Sequence, residues 1–222
     1  MLCQIVLFDG FDPLDVIGPY EVLFAGGMAA PGALTVELVS AEGAREVPSG
    51  TGPLSLRAVA ALDPRRADLV LVPGAAGRLG ALSDPGAPGD EDSIPARLGR
   101  ALRTGLPALL KEALDREGLT VATVCGGSGL LAMAGLITGR HATTHHMGVG
   151  LLDTGGAVAI DARVVDDGDL VTGAGVTSGL DLGLYLLERE LGPRVAHAVE
   201  KLFAYERRGT VWHATGPVPA GF

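Results

Sequence analysis

Cys125 is the residue best placed for chemistry, because it directly follows the apolar run T-V-A-T-V and directly precedes Gly126-Gly127-Ser128-Gly129. This pattern predicts a buried strand, a tight turn of small residues and then a helix. A nucleophile on such an elbow is exposed at the carboxyl edge of a sheet. We expect the helix N-terminus to lower the pKa of the thiol, and the Gly126 N–H to face an oxyanion formed by sulfur attack. The alternative, a buried structural cysteine, fits Cys3 at the start of the first strand better.

A carboxylate, Asp15, lies in the segment F-D-P-L-D-V-I-G-P-Y-E that follows the first predicted strand. We expect it at the same sheet edge as Cys125, where it would orient the thiol, hold a water or move a proton. The alternative is a turn or helix-capping role, for which Asp9 and Asp12 are better candidates. Glu21, on the next helix, is the rival for the acid role.

Backbone amides are a further candidate feature of this edge. Gly74-Ala75-Ala76-Gly77 follows another predicted strand, and its amides would supply the second half of an oxyanion hole. A simple strand-to-helix turn explains the same four residues equally well.

Three histidines, His141, His145 and His146, lie close together in the chain. No cysteine or carboxylate has metal-ligand spacing to them, and adjacent side chains point apart in an extended chain, so we predict no metal site. A histidine acting as a proton partner of Cys125 is the better hypothesis. The glycine-rich segment after Cys125 also lacks the lysine of a phosphate loop and the spacing of a dinucleotide fingerprint.

Short apolar runs alternate with helical stretches, and these elements must position the candidate side chains. The predicted strands are 4–8, 34–40, 68–72 and 119–124, with a hairpin of 163–165 and 170–172. The predicted helices are 19–24, a stretch through Leu136, and 180–191, where Ser178 to Asp181 resembles a capping box. Continuous Val and Leu strands with intervening helices indicate a parallel sheet covered on both faces. We therefore predict an α/β fold, a parallel-sheet three-layer sandwich.

The chain shows no repeat and no linker, so residues 1–222 are predicted to form a single domain. Residues 83–95 are rich in Pro, Gly and acidic residues and are predicted to be a surface loop. A solvated insertion is the simpler interpretation of that loop, and a lid over the strand ends is the alternative. Residues 209–222 are predicted to be an irregular tail that packs on the body or on a partner chain.

Composition excludes several classes of protein. Seventeen Lys and Arg against 26 Asp and Glu give a formal net charge of −9, which disfavours binding to nucleic acid or to anionic lipid. A hydrophobic content of 47% with 19% charged residues excludes a disordered chain. Two cysteines, no apolar run of membrane-spanning length and no basic leader lead us to expect a cytoplasmic protein.

Four segments together resemble the ThiJ/PfpI superfamily, whose fold is that of the class I glutamine amidotransferases. Within it the chain is most similar to isonitrile (isocyanide) hydratases and to the ligand domains of AraC-type regulators. The segments are L-D-V-I-G-P-Y-E-V-L (14–23), L-V-P-G-A (71–75), T-V-C-G-G-S-G-L-L-A-M-A-G-L-I-T-G-R-H-A-T-T-H (123–145) and L-V-T-G-A-G-V-T-S-G-L-D (170–181).

The resemblance implies a flavodoxin-like fold and roles for particular residues. The catalytic cysteine and aspartate of the hydratases fall on Cys125 and Asp15, and a histidine of the deglycase branch falls on His145. Thr144, Val176 and Thr177 are expected to line the substrate pocket with His145, and the amides of Gly126, Gly74 and Ala75 to hold an oxyanion. Two departures stand out: Gly126 replaces the usual threonine, and Ala75 replaces a glycine.

The implied activity is hydration of an isocyanide to an N-substituted formamide by a homodimer that needs no cofactor. An α-oxoaldehyde glyoxalase or deglycase is the alternative enzyme of the same fold, and it would depend on His145 more than on Asp15. A non-catalytic small-molecule or redox sensor based on Cys125 is the alternative from another class. With no helix-turn-helix segment and no basic patch, direct binding to DNA is not expected.

Overall fold

A computed structural model describes residues 1–78, 91–217 and 220. The strands are β1 (Leu2–Leu7), β2 (Thr35–Ser40), β3 (Arg45–Pro48), β4 (Ser55–Ala58), β5 (Ala60–Ala61), β6 (Leu69–Val72), β7 (Thr120–Val124), β8 (His141–Ala142), β9 (Val158–Ala159), β10 (Val164–Asp166), β11 (Leu170–Gly173) and β12 (Trp212–His213). The helices are α1 (Pro13–Ala29), α2 (Ile94–Ala101), α3 (Leu106–Asp115), α4 (Gly127–Met133), α5 (Val149–Thr154), α6 (Ser178–Leu191) and α7 (Pro193–Phe203), with a 3₁₀ turn at His146–Gly148.

Within the described part of the chain, the main sheet has eight strands in the order β12-β10-β11-β7-β6-β1-β2-β5. Its central strands β2, β1, β6, β7 and β11 are all parallel, whereas β10 and β12 run the other way. Counted along the chain, these five strands have the order 2-1-3-4-5 of a flavodoxin-like fold. The predicted α/β fold with a parallel sheet is therefore confirmed.

Helices cover the sheet because its strands are apolar on both faces. Every residue of β6, β7 and β11 is buried, as parallel strands between helical layers must be. Helices α1, α6 and α7 pack on one another, and α3 and α4 contact β7. In the register of the sheet Val72 pairs with Thr123 and Val124 with Gly173, so the segments after β6, β7 and β11 meet at one carboxyl edge.

Helix α1 is longer than the predicted 19–24 because it begins at Pro13. The Oδ1 atom of Asp12 accepts the N–H of Leu14 at 2.9 Å, and Pro13 occupies the first helical position, where a missing N–H costs nothing. The helix continues through Pro19 to Ala29. This early start places Asp15 in the first helical turn, not in the loop that the sequence suggested.

Two other helix ends differ from their predictions. Helix α4 ends at Met133 rather than Leu136, since Gly135 turns the chain with a φ of +69°. Helix α6 begins at Ser178 without a capping box: Thr177 makes no capping hydrogen bond, and Asp181 binds Arg163 instead. The hydrogen bond of the buried Asp181 carboxylate with the partly buried Arg163 replaces the local cap that the spacing predicted.

The two segments that the sequence predicts to be irregular, residues 83–95 and 209–222, contain some regular structure. Of the predicted loop 83–95, residues 83–90 lie outside the described residues, and Ser93 is a buried N-cap that opens α2 at Ile94. In the tail, Trp212–His213 adds a short edge strand beside β10, so this part packs on the body of the protein. Within the described ranges, no helix is both long and apolar enough to cross a membrane.

Candidate active site

Cys125 lies at the elbow between β7 and α4. Its φ is +54°, a left-handed value that is uncommon for a residue with a side chain and that marks a strained turn. The Cys125 N–H donates to the carbonyl of Gly173 at 3.1 Å, and its own carbonyl accepts the Thr144 hydroxyl at 2.8 Å. The turn is therefore held from two neighbouring segments, with the side chain 8% exposed.

Asp15 is fully buried beside this thiol. Its Oδ2 atom accepts the backbone N–H of Gly74 at 2.9 Å. The Cys125 thiol interacts with the same carboxyl, although among the described residues no group makes a hydrogen bond of standard geometry to the buried Oδ1 atom. Glu21, the rival acid, is exposed on α1. The structure therefore brings together Asp15 and Cys125, the two residues the sequence favoured.

Burial controls the protonation of Asp15 and Cys125. It raises the pKa of the Asp15 carboxyl well above its usual range, and the charge of Asp12 raises it further. Burial also raises the pKa of the Cys125 thiol, as does the charge of Asp15, while the Gly126 N–H acts in the opposite direction. The Gly126 N–H at the start of α4 acts to lower this pKa, as the sequence predicts, but burial and the neighbouring carboxylate outweigh it, so the net pKa is raised and not lowered. The resting site favours a protonated thiol.

The two glycines of the predicted oxyanion site have different roles. The Gly74 N–H is occupied by Asp15, so its predicted place in an oxyanion hole is wrong. A Cβ at Gly74 would lie 2.6 Å from the Gly126 nitrogen and 2.9 Å from Asp15 Oδ2, too close for any side chain. Gly126 and Ala75 both line the cavity described next. Among the described residues, no acceptor takes the Ala75 N–H.

A cavity of about 400 Å³ opens in front of the Cys125 side chain. Thr144, His145 and Val176 contribute to its wall as expected, but Thr177 does not. The Thr177 side chain is exposed and accepts a hydrogen bond from Arg163 at 3.0 Å, because the chain turns into α6 at this point. The wall is mostly apolar and consists of Asp12, Ala75, Ala76, Gly77, Ile94, Pro95, Leu98, Cys125, Gly126, Thr144, His145, Met147, Gly148, Leu151 and Val176.

The three histidines have separate environments. His145 is partly buried in the cavity wall, where burial lowers the pKa of its imidazole, and it packs on His146 with ring centroids 4.2 Å apart. His141 instead contacts Asp167 at 3.0 Å and packs on Trp212. In the part of the chain that the structure describes, no three His, Cys, Asp or Glu side chains form a group that could hold a metal ion.

Sequence reasoning missed part of the cavity wall. Ile94, Pro95 and Leu98 of α2 close one side, and Leu151 of α5 also faces the space. Ser93 followed by Ile94-Pro95 is a helix-start signal that could have located α2. The sequence favours a turn or helix-capping role for Asp12, which does cap α1 but also lines the cavity.

Comparisons with known proteins agree with this arrangement. The family model described as DJ-1/PfpI family matches residues 97–189. An isonitrile hydratase from Pseudomonas putida is 34% identical over 201 residues, which cover 90% of this chain and 76% of that protein. The transcriptional regulator CdhR of Pseudomonas aeruginosa is 34% identical over 110 residues, 48% of this chain, but the match spans only a third of the regulator's length.

Solved structures show the same fold. Drosophila melanogaster DJ-1beta superimposes with a TM-score of 0.71 at 20% identity, over 92% of this chain and 98% of that one. A ThiJ/PfpI family protein from Pseudomonas syringae superimposes with a TM-score of 0.70 at 24% identity, over 94% of this chain and 76% of that one. With its fold, its cysteine elbow and the extent of its similarity to a hydratase, the chain belongs to the DJ-1/PfpI family.

Proposed function

We propose that this protein hydrates isocyanides to N-substituted formamides, with Cys125 as the nucleophile and Asp15 as the proton carrier. One observation carries the proposal: a fully buried carboxyl with a raised pKa interacts with a thiol at the wall of an apolar cavity. Such a pair can pass a proton between sulfur and a neighbouring carbon. The similarity to an isonitrile hydratase over 90% of the chain supports the same reaction.

In the first step the Cys125 sulfur forms a bond to the terminal carbon of the isocyanide, and its S–H bond breaks. The proton passes through Asp15 to that same carbon, which yields an S-linked thioimidate, Cys125–S–CH=N–R. Asp15 is suited to this transfer because burial favours its neutral form while the contact with the thiol favours its ionised form. The carboxyl therefore accepts and releases one proton without large cost.

In the second step water completes the reaction. Its oxygen bonds to the thioimidate carbon and one of its protons goes to the nitrogen. The C–S bond then breaks, the remaining hydroxyl proton returns to the sulfur, and the formamide R–NH–CHO leaves. Ala75 and Gly126 line the space in front of Cys125, and their amides would stabilise negative charge that develops during these steps.

The cavity suits a small substrate with an apolar body. Alanine, proline, leucine, isoleucine, valine and methionine side chains form most of its wall, and its volume of about 400 Å³ is within the usual range for small-molecule sites. An isocyanide carries no net charge and presents its reactive carbon at one end. Such a molecule can place that carbon at the sulfur and its substituent among the apolar side chains.

An α-oxoaldehyde enzyme is the second candidate, and the position of His145 favours it. This imidazole lines the same cavity as Cys125, and the lowered pKa leaves it neutral and able to accept a proton. Such an enzyme would use Cys125 and His145 and would tolerate the loss of the Asp15 charge. A cysteine-based sensor without turnover, in keeping with the similarity to part of a transcriptional regulator, is the third.

The test is formamide production from a panel of alkyl and aryl isocyanides, with the wild type beside Cys125→Ala, Asp15→Asn and His145→Gln. We expect the first two variants to lose turnover and the third to retain most of it. Full activity in Cys125→Ala would refute the proposal. Turnover of methylglyoxal but of no isocyanide, retained in Asp15→Asn and lost in His145→Gln, would establish the α-oxoaldehyde reaction instead.

A further inference from the structure

Asp12 introduces a negative charge into a wall that is mostly apolar. Of its two carboxylate oxygens, Oδ1 accepts the N–H of Leu14 at 2.9 Å, which caps α1. Among the described residues no hydrogen bond or ion pair engages Oδ2. The side chain is partly exposed and lines the cavity that contains Cys125. One oxygen of Asp12 is therefore available to a molecule inside the cavity.

No basic group in the described cavity wall compensates this charge. The wall contains neither lysine nor arginine, and His145 is kept neutral by burial. The two arginines of α2 bind other groups. The Arg97 guanidinium binds the Ala76 carbonyl at 2.9 Å and Asp92 at 3.1 Å, and Arg100 donates to the Glu91 carbonyl at 2.6 Å. The charge of Asp12 reaches the reaction centre, since it raises the pKa of both Asp15 and Cys125.

We propose that Asp12 determines specificity by charge: the cavity favours substrates that carry a cationic or N–H-donating group and rejects substrates that carry a carboxylate. As a statement about isocyanides this rests on the proposed function, but the selection itself applies to any electrophile that reaches Cys125. An ammonium or N–H group can bind the unoccupied Oδ2, because charge-assisted hydrogen bonds are the stronger kind. A carboxylate in the same space meets a like charge with no counter-ion, which costs affinity.

Asp12 can be tested without loss of the fold. The Asp12→Asn substitution removes the charge but keeps a residue that caps helices as well as aspartate does. Asp9 provides the matched control, because it is an exposed aspartate three residues earlier that binds Arg45 at 2.7 Å and is not in the cavity wall. Asp9→Asn changes the net charge of the protein equally.

The first readout needs no enzymatic activity. Three methanethiosulfonates of similar size, one neutral, one with a trimethylammonium group and one with a sulfonate, each transfer their thioalkyl group to a thiolate and release methanesulfinate. Labelling of Cys125 is followed as the increase in protein mass, and the labelling measured in Cys125→Ala is subtracted as background. Each rate is then divided by the rate at which the same reagent reacts with a small free thiol. The ratio of cationic to anionic rates cancels any change that the substitution makes in the pKa of the thiol.

We expect this ratio to exceed one in the wild type and in Asp9→Asn, and to fall about tenfold in Asp12→Asn. An equal ratio in wild type and Asp12→Asn would overturn the inference, as would a wild type that prefers the anionic reagent. The second readout is kcat/KM for an ammonium-bearing and a carboxylate-bearing isocyanide, for which we expect the same tenfold change.

The two readouts separate the two proposals. If Asp12→Asn lowers the labelling ratio but the wild type turns over no isocyanide, charge selection by Asp12 stands and isocyanide hydration is refuted. If isocyanides are turned over but neither the labelling ratio nor the kcat/KM ratio changes in Asp12→Asn, hydration stands and the role of Asp12 is refuted.

Discussion

The backbone N–H of Gly74 donates to Asp15 Oδ2 across 2.9 Å, and this bond joins the segment after β6 to the first turn of α1. Gly74 also packs against the turn that follows Cys125, because its Cα lies 3.5 Å from where a Gly126 Cβ would be. The first turn of α1, the segment after β6 and the turn after Cys125 are distant in sequence, and they meet around the carboxyl group of Asp15. The bond fixes one oxygen of Asp15 and leaves the other side of the carboxyl to the thiol.

This convergence predicts that Gly74→Ala is damaging while Gly126→Ala is tolerated. A Cβ at Gly74 meets the Gly126 backbone at 2.6 and 3.0 Å, so one of the two loops must move, at a cost of about 1–3 kcal/mol. At Gly126 the contacts are 3.5 to 4.0 Å, ordinary van der Waals distances. Urea unfolding and thiol labelling of both variants measure the difference. Equal stability of the two alanine variants would contradict the prediction.

Asp15→Asn is predicted to stabilise the protein at neutral pH. A carboxyl whose pKa is raised by folding favours the folded state below its usual pKa of about 4 and loses that contribution as the pH rises through the raised value. The wild type should therefore lose up to about 1.4 kcal/mol of unfolding free energy per pH unit within this window through Asp15.

Urea unfolding at a series of pH values from 4 upward measures this slope. The asparagine variant should show a flatter dependence on pH than the wild type. Asp161→Asn, which changes an exposed aspartate, is the control and should leave the slope unchanged. A wild type that gains stability relative to Asp15→Asn as the pH rises would show that folding lowers this pKa.

Labelling of Cys125 with iodoacetamide should be slow at pH 7 and should accelerate as the pH rises above 8. The reason is the raised pKa of the thiol, since only the thiolate reacts. Asp15→Asn removes the negative charge that contributes to the shift, so at pH 8 it should label about threefold to tenfold faster.

Mass spectrometry of the intact protein gives these rates. The other cysteine, Cys3, is fully buried in β1 and should remain unlabelled in the native state, which Cys125→Ala verifies. Rapid labelling of the wild type at pH 6 would show that the helix N-terminus, rather than burial, controls the thiol.

Asp181 is predicted to be essential for stability. Its carboxylate is 2% exposed and accepts hydrogen bonds from Arg163 at 2.6 Å, from the Tyr205 hydroxyl at 3.0 Å and from the Arg208 N–H at 2.7 Å. Asp181→Ala leaves these donors unpaired and should cost about 3 kcal/mol. The control is Asp115→Ala, which breaks an exposed pair with Lys111 and should change stability by less than about 1 kcal/mol. Similar losses in the two variants would count against this network.

Local sequence pattern is enough to predict several elements of this fold. Val- and Leu-rich runs bounded by glycine and proline are enough to find β1, β6, β7 and β11, because parallel strands between helical layers are apolar on both faces. Strand β2 is found instead from the alternation of its residues, of which only the last two are buried. The elbow at Cys125 is equally local, since a strand, a cysteine and two glycines follow one another directly. Local pattern therefore identifies Cys125 and Asp15 as candidates, but it does not predict that they lie beside each other.

The interactions between these residues depend on how distant segments pack. The contact between Asp15 and Cys125, the occupied N–H of Gly74 and the direction of both pKa shifts depend on burial and on charges that come from distant segments. The position of Asp12 in the cavity wall and of Thr177 outside it also depends on packing between distant segments. Periodicity reports which face of an element is apolar, whereas desolvation and Coulomb interactions act through space between groups that packing brings together.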